Sequence, residues 1–148
     1  MSGFVDSLKR LRNTAKCLPT RVLHAFGLKP SSGMPVRFVI EDADWAIRRV
    51  GENIQNEINK LHPGTVEIAI NPAGAINRVV HFGSQYMWPN WDRPAGGSNK
   101  YVVSFFHGKH EDSPSVSRHI KEFLSTIPRL SKFVGSNSLV YETLKSWG

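Results

Sequence analysis

Residues 101–108 read Tyr-Val-Val-Ser-Phe-Phe-His-Gly, an apolar run that ends in a histidine and a glycine. A strand that is apolar on both faces suits a parallel sheet covered by helices. In such an open sheet, ligands bind in the crevice beyond the carboxyl ends of the strands, so a polar residue at that point faces the site and the apolar run behind it is packing. The reading therefore sets His107, followed by Gly108, at a ligand site.

Outward from this strand, the pattern alternates. Val36 to Ile40 is an apolar strand led in by Pro35. Ile47, Val50, Ile54, Ile58 and Leu61 then recur at three- and four-residue spacing, which predicts one face of a helix with Asp42 or Asp44 as its cap. His62-Pro63-Gly64 stops it. Val66 to Ile70 and Val79 to Phe82 are two more strands, and residues 83–100 form a long connection rich in Gly, Pro and Trp. Ser113-Pro114 opens a helix with Val116, Ile120, Phe123, Leu124 and Ile127 on one face, ended by Pro128. A fifth strand, Phe133 to Gly135, leads through Ser136 into a last helix holding Leu139, Val140 and Leu144. Strands alternating with helices predict an α/β fold, a Rossmann-like parallel sheet flanked by helices.

The chain has 148 residues, enough for one domain with a core of its own. Its charge is concentrated at the start. Up to Lys29, six basic residues (Lys9, Arg10, Arg12, Lys16, Arg21 and Lys29) stand against Asp6 alone, so this segment carries +5 of the total +7. The rest is close to neutral, which argues against a nucleic-acid partner. Residues 1–33 thus read as a basic amphipathic leader and linker, interrupted by Pro19, and residues 34–148 as the domain. The leader suits a helix lying on an anionic membrane surface, a helix packed on the domain, or a loosely ordered tail. No apolar run approaches the roughly 20 residues that span a bilayer. A single cysteine, Cys17, cannot form an intrachain disulfide, and a cytoplasmic setting, peripheral at the membrane if the leader binds lipid, fits.

Three strand ends gather small or polar residues: Gly83-Ser84-Gln85, His107-Gly108, and Gly135-Ser136-Asn137. Glycine lets a ligand approach the backbone, and imidazole can donate or accept at a sugar hydroxyl, so His107 is the candidate hydrogen-bond partner or base. The alternative is a histidine bonded to a neighbouring loop. His81 reads as structural, inside its strand. The segment from Gln85 to Trp91 holds three aromatics that either stack on a sugar or lipid acceptor or pin the loop to the sheet. No dinucleotide G-x-G-x-x-G follows the first strand, and His107 with His110 lacks a third metal ligand. Glu41-Asp42 is similar to the acidic pair of a receiver domain, but no phosphorylatable Asp ends the third strand and no Lys follows the fifth.

Taken together, Val79-Val80-His81-Phe82-Gly83-Ser84, Val103-Ser104-Phe105-Phe106-His107-Gly108, and Phe133-Val134-Gly135-Ser136-Asn137-Ser138 running on to Leu144-Lys145-Ser146-Trp147-Gly148 carry a resemblance. From about Met34 the chain resembles the N-terminal domain of a GT-B glycosyltransferase of the retaining family 4 kind. The resemblance implies an acceptor-binding domain, with His107 near the transferred sugar, Gly83, Ser84 and Gln85 lining the acceptor side, and Ser136 and Asn137 at the rim. It implies no cofactor in this chain, a nucleotide sugar as donor, and a C-terminal GT-B donor domain as partner. The sequence stops at Gly148, where the family runs on, so the resemblance implies half an enzyme, inactive alone, acting on a sugar or glycolipid acceptor. One departure bears on this: Glu41-Asp42-Ala43-Asp44-Trp45 replaces the family's Gly-rich loop, which removes the expected donor-diphosphate contact from that loop. The alternative reading of the same residues is a non-catalytic ligand-binding or regulatory Rossmann-like module.

Overall fold

The computed structural model describes residues 2–25, 35–42, 46–91, 99–106 and 114–146. Five strands, β1 (Val36–Val39), β2 (Val66–Ala69), β3 (Val79–Phe82), β4 (Lys100–Phe105) and β5 (Lys132–Gly135), form one sheet in the order β2-β1-β3-β4-β5. Every pairing is parallel. The helices are α1 (Ser2–Ala25), α2 (Ala46–Leu61), α3 (Pro114–Thr126) and α4 (Ser138–Ser146). This is the α/β, Rossmann-like architecture that the alternating pattern predicts.

The period-two alternation of a strand sends neighbouring side chains to opposite faces, and two cores result. On one face Phe38, Ile40 and Val66 pack against Ile54 and Ile58 of α2. A Cβ at Gly51 would lie 2.8 Å from Ile40 Cγ2, so α2 approaches β1 as closely as it does because residue 51 has no side chain. The other face is larger. Val39, Val80, Phe82, Val103 and Phe105 meet Phe123 of α3, Val140 of α4, and Trp88 from a 3-10 turn at Trp88–Asn90. Leu61, read as part of α2's apolar face, is instead exposed at its end.

Two polar devices complete the sheet. At the β2 edge, Asn59 Oδ1 accepts the Val66 N–H at 2.9 Å and Asn59 Nδ2 donates to the Val66 carbonyl at 2.8 Å. The α2 side chain thus takes the place of a further strand partner for Val66. The chain passes from β2 to β3 without a helix. Glu67 Oε1 anchors that passage by accepting from Arg37 Nε at 2.6 Å and Arg78 Nη1 at 2.7 Å, while Arg37 also donates to the Ala73 carbonyl.

The leader takes a form different from the interrupted one expected. The helix α1 runs on through Pro19. Proline removes one backbone donor, which leaves the carbonyl four residues earlier, at Ala15, without its helical partner. Both residues are exposed, so water can replace that bond. The opposite side of α1 is docked: Asn13 and Cys17 are buried, Asn13 Nδ2 donates to the Asn90 carbonyl at 3.0 Å, and Arg10 pairs with Glu122 of α3. The expected linker at residues 29–33 lies outside the described residues. Among the described residues no helix is long and apolar enough to cross a membrane.

Candidate functional site

The strand order sets the site. β1 lies between β2 and β3. The chain leaving β1 enters α2, which packs on one face through Ile54 and Ile58, whereas the chain leaving β3 enters the Trp88 turn, packed on the other. Connections that diverge from adjacent parallel strands leave a crevice at their carboxyl ends, the topological switch point of an open α/β sheet. A cavity of about 300 Å³ lies there, lined by Glu41 after β1, Ala46, Ile47 and Val50 of α2, Ser84 and Tyr86 after β3, and Phe106 after β4.

Local structure fixes the lining that follows β3 and β4. Ser84 is buried, and its Oγ accepts the Tyr86 N–H at 3.2 Å. The Tyr86 ring stacks on His119 of α3 with centroids 4.3 Å apart, and burial pushes the phenol pKa above its ordinary value, so it presents a neutral hydroxyl. Gln85 is buried and its Oε1 accepts the Phe106 N–H at 2.9 Å, which ties the end of β4 to the end of β3. Tyr86 and Phe106 both remain exposed toward the opening. The lining therefore offers one carboxylate, two hydroxyls and an apolar wall of Ile47, Val50 and Phe106. Among the described residues its lining contains no lysine, arginine or histidine.

Of the residues put forward from the sequence as site residues, Ser84 lines this crevice, and Glu41 and Tyr86, noted in the sequence for other reasons, line it too. His107, Gly108 and His110 lie outside the described residues. At Gly83 the space that a ligand was expected to use is filled by protein: a Cβ would lie 2.9 Å from Phe38 Cε1, 3.0 Å from Ile47 Cγ2 and 3.2 Å from the Val39 carbonyl. Gly83→Ala is expected to cost about 1–3 kcal/mol of stability, read as a lower urea midpoint, because the backbone carbonyl cannot give way as a side chain can. Ser136 and Asn137 are exposed and absent from the crevice lining; Asn137 Oδ1 accepts the Val140 N–H at 3.0 Å and so caps α4.

The aromatic segment divides between its two readings. Met87, Trp88 and Pro89 are buried and pin the loop, and Tyr86 reaches the crevice. His81 is structural: its Nε2 lies 2.8 Å from Ser104 Oγ, its ring packs 4.7 Å from that of Phe38, and burial lowers its pKa to about 4. Among the described residues no group of three or more His, Cys, Asp or Glu side chains is placed to hold a metal ion. Sequence reasoning missed Glu41, Tyr86 and Phe106 as a set, and took Ile47 and Val50 for core. The available signal was position, since four of the lining residues follow strand ends and the others begin the helix beyond β1.

The sheet and its switch-point crevice define an α/β domain of Rossmann-like type. No protein-family model, no curated protein and no solved structure matches the chain.

Proposed function

We propose that this chain is the acceptor-binding domain of a sugar transferase, with the acceptor held in the switch-point crevice. The observation that carries the reading is the chemistry of the lining: Glu41, Ser84 and Tyr86 can pair with hydroxyls, and Ile47, Val50 and Phe106 offer apolar surface to the carbon face of a sugar ring. A nucleoside diphosphate would bring two or more negative charges to a pocket that has a carboxylate and no cation in its described lining, so a neutral acceptor suits it better than the donor. In this reading the nucleotide sugar is held by a C-terminal GT-B domain, which closes the crevice. His107 keeps the role that the family resemblance gives it, as hydrogen-bond partner or base at the transferred sugar.

Saturation-transfer NMR on the chain with methyl hexosides and with UDP tests this. Glycosides are expected to take up saturation and UDP is not. Removing the charged acceptor in Glu41→Gln, or the ring in Phe106→Ala, should weaken glycoside binding about tenfold. Binding of UDP with no glycoside binding would overturn the proposal.

A further inference from the structure

We infer that the outward face of α1 is a docking surface for anionic lipid. Asn13 and Cys17 turn inward, and the opposite side of the helix carries Leu8, Leu11, Leu18 and Val22. These side chains are 49%, 67%, 55% and 44% exposed, values far from those of core residues. With exposed Ala15 between them they are spaced by three and four residues, so they form one continuous stripe along the helix. Contiguous exposed apolar surface of this kind marks an interaction site.

Charge selects the occupant. Lys9, Arg12 and Lys16 are exposed along one flank of the stripe, and none has an ion-pair partner among the described residues. The same three side chains line a groove of about 320 Å³ between α1 and the sheet, together with Asp42 and Asn71. A stripe with three- and four-residue spacing also suits a partner helix, but this one lasts only two heptads, where a stable coiled coil wants three or four. A parallel second copy would set cations against cations. An anionic bilayer meets both features at once: apolar side chains enter the acyl boundary while the flanking cations reach the headgroups. Asp42 adjoins Glu41, so the basic groove and the acceptor crevice lie at the same end of β1. Docking by α1 would hold that crevice beside the membrane surface. The inference stands independently of the sugar-transfer reading.

The test is vesicle flotation of the full chain with phosphatidylcholine vesicles and with vesicles of phosphatidylcholine and phosphatidylglycerol. The chain is expected to float with the mixed vesicles, to stay behind with the neutral ones, and to be released by salt. Replacing three cations in Lys9→Gln/Arg12→Gln/Lys16→Gln should weaken partitioning on the order of a hundredfold. The double substitution Leu11→Gln/Leu18→Gln should weaken it by roughly tenfold or more. All five positions are exposed, and circular dichroism with a thermal melt checks that each variant is folded. Equal flotation with both vesicle types, or unchanged flotation of the folded stripe variant, would overturn the inference. So would a chain that elutes as a dimer and becomes monomeric in the stripe variant, since that assigns the stripe to a second copy.

Discussion

Trp88→Ala is expected to remove about 3–5 kcal/mol of stability, the range for deleting a large buried aromatic side chain. Trp88 is completely buried, its ring 5.3 Å from that of Phe82 in an edge contact and 5.4 Å from that of Tyr101. Its indole Nε1 donates to Thr126 Oγ1 at 2.6 Å, and that hydroxyl donates onward to the Phe123 carbonyl at 2.6 Å. Truncation therefore opens a cavity between sheet and α3 and leaves Thr126 without its donor. Domains of this size are held by only about 5–15 kcal/mol, so the loss is a large share of the total. Urea denaturation measures it, and a cost below about 1 kcal/mol would contradict the packing described. Trp88→Phe, which keeps most of the apolar contact and loses the indole N–H, should cost about 1–3 kcal/mol. The effect reaches the site, because Tyr86 lies two residues before Trp88 and Asn90, two residues after it, receives Asn13 of α1.

The second large effect is a loss of stability in acid that traces to His81. Burial beside Phe38 lowers its pKa from 6.5 to about 4. Between those values the unfolded chain binds a proton at this residue and the folded chain does not. Stability therefore rises with pH across that window, is complete above 6.5, and is lost as pH falls toward 4. A shift of this size corresponds to on the order of 3 kcal/mol. His81→Gln can still bond to Ser104 Oγ and cannot titrate, so its stability profile between pH 6.5 and 4 should be flatter than that of the parent by that amount. Parallel profiles for the two proteins would show that His81 does not titrate as described.

Much of the fold was legible because apolar periodicity and punctuation agree. β3 is bounded by Arg78 and Gly83, and the sequence pattern locates it to the residue. The face of α2 was legible from Ile54 and Ile58, which pack on β1 and β2. The Trp88 turn was not, since residues 83–100 carry no period. Nor was the continuity of α1, because proline disturbs a helix less where the carbonyl it leaves unpaired is open to solvent, and Ala15 is exposed. The site was less legible than the fold for two reasons. Which strand ends adjoin depends on the order β2-β1-β3-β4-β5, and no local pattern states it. Side-chain chemistry also does not reveal its partner: Gln85 and Asn137 look like ligand groups and instead satisfy the backbone amides of Phe106 and Val140. Ile47 and Val50 show the converse, apolar residues at helical spacing that line a crevice.

The most direct test of an acceptor crevice at the switch point is amide chemical-shift mapping of the isotopically labelled chain during titration with a neutral glycoside. Saturable shifts centred on Glu41, Ile47, Ser84, Tyr86 and Phe106 are the predicted result. Shifts centred elsewhere on the chain, or none at any glycoside concentration, would contradict it.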